Sequence, residues 1–168
     1  AALIRSIERF EDHPEFGERQ LLELEFEDGD LLISSTEGGE TPFVIGATLA
    51  AARESKNLPF FLYCNPDEVL TEHVERSREV IENSRIRKIN LSVGPMALSG
   101  STRMQASTVL MYAIGLAMKH PFATWKIEED FQRWNQWAIE EVDWSFLSDF
   151  IEAETEVYEA GDFVIYDP

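Results

Sequence analysis

Three short apolar runs, each followed by a stretch of helical periodicity, limit this chain's possible folds more than any other feature. Leu31-Leu-Ile-Ser-Ser35, Leu58-Pro-Phe-Phe-Leu-Tyr63 and Ile86-Arg-Lys-Ile-Asn-Leu91 are strand-length, and their branched and aromatic residues suit a pleated surface. Helix-length segments separate them. Pro42 stands at a favourable first-turn position before Phe43–Glu54, and residues 68–83 carry Val69, Leu70, Val74 and Val80. A third apolar helix, Met104–Met118, follows the last run. Parallel strands need crossovers of this length, and helices then cover both faces of the sheet. The expected fold is α/β, three αβα layers around a parallel sheet.

Both flanks differ from this centre. Leu3, Ile4, Ile7 and Phe10 fall at helical spacing within residues 2–10. Asp12-His13-Pro14 stops that helix, because the residue before proline avoids the α region. Pro14–Leu24 reads as a second short helix with Phe16, Leu21 and Leu22 inward, and Glu27-Asp-Gly-Asp30 as a turn. After His120-Pro121, residues 122–158 hold all four Trp, at 125, 134, 137 and 144. Phe131, Trp134, Ala138 and Val142 predict an amphipathic helix whose Trp stripe serves a core or an interface. Asp162-Phe-Val-Ile-Tyr-Asp167 reads as one more strand. The expected organisation is an α/β domain over 1–120 and a helical extension over 121–168. That extension ends in a strand, a candidate start of a second lobe.

Charge narrows the function classes. Thirty-two acidic and fourteen basic residues give a formal net charge of −18, which repels nucleic acid and anionic membranes. A small phosphorylated ligand remains compatible, since backbone amides and one Arg make a locally positive pocket on an acidic protein. No apolar run reaches the roughly 20 residues of a membrane span, and no basic-then-apolar signal opens the chain. The single Cys64 cannot form an internal disulfide, which fits a cytoplasmic protein, and reads as a buried thiol. His13, His73 and His120 are scattered without metal-ligand spacing, so neither a metal nor another cofactor is expected. The first residue is not Met, and the chain reads as a piece of something longer.

Ligands of open parallel sheets bind where loops leave the carboxyl ends of the strands. Two loops there have anion-binding chemistry. Thr36-Glu-Gly-Gly-Glu-Thr41 combines paired glycines, which let backbone approach an anion, with two hydroxyls. Within Asn90–Ser107, a Gly94-Pro95 break precedes Ser99-Gly-Ser-Thr-Arg103 at the head of a helix. First-turn amides lack intrahelical partners and the helix dipole favours negative charge there, while Arg103 adds a planar cation. Ser101 or Thr102 as a simple helix cap is the competing reading.

Those residues carry a resemblance. Thr36–Thr41 resembles the Ser-x-Ser-Gly-x-Thr phosphate loop of sugar isomerase (SIS) domains, and Leu31 to Ala47 is similar to the matching segment of N-acetylmuramic acid 6-phosphate etherases. Cys64-Asn-Pro-Asp67, Gly94-Pro…Ser99-Gly-Ser-Thr-Arg-Met104 and Glu8-Arg-Phe-Glu-Asp12 resemble further signatures of that family. The charged 68–85 segment is more like the related glucokinase regulatory proteins, as are Glu141-Val-Asp-Trp-Ser-Phe-Leu147 and Val157-Tyr-Glu-Ala-Gly161.

The resemblance implies an SIS-type fold. Its first strand and loop, with a second glutamate of the catalytic pair, would precede Ala1. It implies a phosphorylated sugar, a hexose or amino-sugar 6-phosphate, held by Thr36, Glu37, Gly38, Gly39, Glu40 and Thr41. Ser101, Thr102 and Arg103 would support or touch that ligand, and Glu11 would match a glutamate used in acid–base elimination of lactate. It also implies a protein partner or a homodimer through SIS lobes. The sequence departs from the family pattern at Gly38 for Ser, Met96 for Glu, Gln105 for Lys and Ser107 for Gly. On these grounds the expected function is a sugar-phosphate-binding regulator or sensor, like the glucokinase regulatory proteins. The alternative is an etherase, a carbon–oxygen lyase releasing lactate.

Overall fold

A computed structural model describes residues 8–96 and 104–165. Contacts divide the chain into two compact units, Ala1–Gly115 and Leu116–Pro168. In the first unit, a 3-10 turn at Glu8–Phe10 leads into α1 (Pro14–Glu23), β1 (Ile33–Ser35) and α2 (Pro42–Glu54). There follow β2 (Phe60–Tyr63), α3 (Asp67–His73), α4 (Glu75–Glu82), β3 (Arg87–Asn90) and the greater part of α5 (Gln105–Lys119), whose last four residues fall in the second unit. The three strands are parallel in the order β1-β2-β3, with Ile33 opposite Phe60 and Phe60 opposite Arg87. The expected α/β architecture with a parallel sheet is therefore present. The helix expected over residues 2–10 lies mostly outside the described residues.

Alternation along β2 builds the layers. Phe61 and Tyr63 face one way and join Ile45 and Ala52 of α2, Leu70 of α3 and Val80 of α4 in one core. Leu62 and Cys64 face the other way, against Ala106 and Leu110 of α5. A period of two thus places one four-residue strand in both cores. Cover is incomplete on the α5 side, where Ile33 and Ile89 stay partly exposed beside the covered β2.

The expected single helix over 68–83 is two. Val74 adopts an extended conformation, φ −128° and ψ 99°, and ends α3. Arg78 stabilises the break by donating to the carbonyls of Thr71 and Glu72, the C-terminal acceptors of α3. Leu22, expected inward on α1, is exposed, while Leu21 and Gly17 are buried. The reason is a close crossing of α1 over α2. A Cβ on Gly17 would lie 1.9 Å from the Phe43 carbonyl oxygen, and one on Gly46 would lie 2.0 Å from that of Pro14. The two helices meet backbone to backbone through these glycines.

The second unit contains α6 (Thr124–Gln136), a π turn at Trp137–Glu141 and α7 (Phe146–Glu159). Among the described residues neither α6 nor α7 buries a side chain, and all four Trp are exposed, from 42% at Trp134 to 64% at Trp125. The helix expected through Phe131, Trp134, Ala138 and Val142 ends at Gln136: Ala138 lies in the π turn and Val142 is extended, with φ −80° and ψ 124°. Polar contacts tie the end of α5 to the middle of α6. His120 Nε2 lies 2.8 Å from Asp130 Oδ2 and Lys119 Nζ 2.5 Å from the same oxygen, and the two bonds lower the Asp130 pKa to about 2. Residues 162–165 pair with no strand among the described residues, and the remainder of that expected strand lies outside them.

Placing a methyl group at the α1–α2 crossing forces the helices apart. Gly46→Ala is expected to cost about 1–3 kcal/mol, as overpacked cores do. Urea unfolding reads this as a lower midpoint at unchanged slope; an unchanged midpoint would show that the crossing yields freely.

Candidate functional site

The loop Thr36–Thr41 leaves the carboxyl end of β1 and opens α2. Its ends are stapled by a 2.8 Å hydrogen bond between the Thr36 and Thr41 hydroxyls. Thr36 is buried and its amide donates to the Leu62 carbonyl of β2, so its hydroxyl serves the loop rather than its outer face. Thr41 is half-buried and caps α2, where Ile45 N–H donates to its carbonyl.

Every carbonyl from Glu37 to Thr41 has a donor. That of Glu37 accepts from the Cys64 amide (3.0 Å), that of Gly38 from Asn65 Nδ2 (3.0 Å) and that of Gly39 from Ser77 Oγ (2.8 Å). The Glu40 carbonyl accepts from Arg76 Nε at 2.6 Å. None of the amides of the same five residues has an acceptor among the described residues. Each peptide plane joins a carbonyl to the N–H of the next residue, so the tied oxygens of Glu37–Glu40 turn the N–H groups of Gly38, Gly39, Glu40 and Thr41 to the opposite edge, a row of four donors beside the positive end of α2. Gly39 makes the bend possible: its φ is +82°, and a Cβ would lie 2.8 Å from Leu70 Cδ1 and 3.2 Å from Tyr63 Cβ.

The Cys64-Asn-Pro-Asp67 segment supports this loop from the neighbouring strand end. Asn90 Nδ2 donates to the Asn65 carbonyl (3.0 Å) and to Asp67 Oδ1 (2.6 Å), which also accepts from the Tyr63 hydroxyl at 2.6 Å. Burial, then the Asp67 partner, raises the Tyr63 pKa, so the phenol stays a donor. Burial also raises the Cys64 thiol pKa, and the Glu37 carboxylate adds to it, so Cys64 is not an activated nucleophile.

Glu11 is exposed, and its backbone carbonyl accepts from the Phe43 amide at 2.9 Å, which sets it at the head of α2 beside the loop. Ser101, Thr102 and Arg103 lie outside the described residues, so the loop's described cation is Arg76. Arg76 and Ser77 carry no sequence signal for this role. They sit in a charged stretch that reads as a solvated face, and only the break at Val74 turns them toward the loop. Among the described residues no group of acidic, His and Cys side chains could hold a metal ion, and no helix is long and apolar enough to cross a membrane.

Layered α/β architecture with a parallel sheet, and a glycine-bearing loop at the carboxyl end of its first described strand, define an α/β domain of SIS type. The chain is 37% identical over 115 residues to the N-acetylmuramic acid 6-phosphate etherase of Rhodopirellula baltica, covering 68% of this chain and 34% of that protein. It is 34% identical over 107 residues to N-acetylmuramic acid 6-phosphate etherase 1 of Bacillus licheniformis, covering 64% of the chain and 31% of the relative. With the enzyme of Thermosynechococcus vestitus the identity is 37% over 116 residues, covering 69% and 34%. This chain is a homologue of the N-acetylmuramic acid 6-phosphate etherases, a SIS-domain family. It spans about a third of the length of the curated relatives it matches. No protein-family model matches it.

A side chain at the tightest point of the loop should be costly. Gly39→Ala combines a strained φ with contact against Leu70 and is expected to lose about 1–3 kcal/mol. Thermal unfolding reads the loss. Wild-type stability would contradict the geometry.

Proposed function

We propose that Thr36–Thr41 holds the phosphate of an amino-sugar 6-phosphate, and that the protein containing this domain is an etherase releasing lactate from N-acetylmuramic acid 6-phosphate. One observation carries the reading: five successive carbonyls are tied into the protein while the amides of the same residues are left without acceptors. That arrangement suits an anion, and the names of the relatives supply the sugar. The regulator reading, which ranked first on sequence, gains no support, since the relatives named above are etherases and none is named a regulator. What favoured it was the long 68–85 segment, the tail at 141–161 and the altered phosphate loop, and the first of these divides into two short helices, the second of which serves the loop.

In this reading the loop amides and the α2 dipole fix the phosphate, and Arg76 adds positive charge nearby. Glu11, at the head of α2, acts as one member of an acid–base pair. Elimination needs two proton-handling groups, one to abstract a proton and one to assist departure of lactate, and Glu11 would supply one of them.

On the full-length protein, N-acetylmuramic acid 6-phosphate should raise the melting temperature more than fructose 6-phosphate, and lactate should be released. Glu11→Gln should lower lactate release by about 100-fold or more, in the range of a lost general acid–base group, with the melting shift retained. A shift only with fructose 6-phosphate, without lactate, would contradict the etherase reading in favour of a regulator. No shift with either would contradict sugar-phosphate binding.

A further inference from the structure

We infer that Ser107 is a positioning residue for the anion-binding loop, and that it acts by holding the Glu37 carboxylate away from the loop's own amides. The inference rests on the phosphate-binding reading of Thr36–Thr41 and deepens it.

Glu37 supplies the first of the acceptor-free amides and also carries a carboxylate on a flexible stem. Acidic side chains readily fold back onto nearby backbone N–H groups, and a carboxylate at a helix N-terminus is stabilised by the same amides and dipole that favour phosphate. An untethered Glu37 is therefore an internal competitor for the site. Glu40 compounds the problem, since its Oε2 lies 3.4 Å from where a Cβ on Gly38 would stand. Two carboxylates over one anion loop would repel an incoming dianion.

The fold gives Glu37 another partner. Ser107 Oγ, on α5 and 70 residues away in sequence, donates to Glu37 Oε1 at 2.9 Å in a partly buried bond. The peptide of Glu37 is fixed as well, its carbonyl accepting from Cys64. Its side chain runs on past Cys64, whose thiol feels its charge, to the layer formed by α5. Two further anchors of the loop, Arg76 and Ser77, lie on α4 in the opposite layer. The one carboxylate at the start of the loop is thus drawn toward one layer while the backbone is held from the other. A hydroxyl at residue 107 accounts for an acidic residue at 37 being tolerated in a phosphate loop.

The test is a double-mutant cycle in the full-length protein: wild type, Ser107→Ala, Glu37→Gln and the pair, titrated with inorganic phosphate and followed by the backbone amide signals of Gly38 and Gly39. Glutamine cannot compete as an anion. Ser107→Ala alone is expected to weaken phosphate binding about tenfold, the scale of one lost hydrogen bond to a charged group. In the Glu37→Gln background the same change should alter it less than about twofold, because independent effects would add and coupled ones do not. Ser107→Thr, which keeps the hydroxyl, should restore binding. Equal weakening in both backgrounds, or none in the native one, would overturn the positioning role and leave the loop reading intact. No phosphate binding to any of the four proteins would overturn the loop reading and this inference with it.

Discussion

The carbonyl oxygens of Glu37 through Thr41 each find a donor inside the protein, and the geometry of the candidate site follows from that. Cys64 and Asn65 supply donors from the end of β2, Ser77 and Arg76 from α4, and Ile45 from α2 itself. A buried or half-buried carbonyl left without a partner is costly, so these bonds fix the peptide planes and turn the opposite edge of the loop outward. The stapled hydroxyls of Thr36 and Thr41 close the turn, and Gly39 makes it sterically possible. Remove the anchors and the loop has no reason to present its amides as a set.

Packing elsewhere exists to hold those anchors in place. The extended Val74 separates α3 from α4, and the break directs Ser77 and Arg76 at successive carbonyls of the loop. Arg85 secures α2 from its far end by donating to the carbonyls of Ala52 and Ser55. The glycine crossing of α1 on α2 brings Glu11 to the head of the same helix, where its carbonyl accepts from Phe43. Apart from the Arg85 bonds, these contacts join residues distant in sequence around the N-terminus of α2, so stability and loop geometry are coupled at this point.

Much of this was legible in the residues. The alternation of short apolar runs with helical stretches specifies a parallel α/β sheet because strand and helix periods differ and the connections have crossover length. Glycines followed by Pro42 mark the loop and the helix it opens. The helix break at Val74 was not legible, since Asp67–Glu82 has continuous helical character and the break is stabilised by Arg78 reaching back to carbonyls of α3. The roles of Arg76, Ser77 and Ser107 were hidden for the same reason: polar residues on helices look like solvated surface until tertiary contacts show what they bond. The end of α6 at Gln136 was not legible either, since the apolar spacing of Phe131, Trp134, Ala138 and Val142 runs on through the π turn and the extended Val142.

The account stands on the outward row of amides, and amide chemical shifts address it directly. With 15N-labelled full-length protein, titration with N-acetylmuramic acid 6-phosphate should move the amide signals of Gly38, Gly39 and Glu40 saturably, with downfield proton shifts as N–H groups acquire an anionic acceptor. Saturable shifts confined to other parts of the protein, with these three signals unmoved, would contradict it.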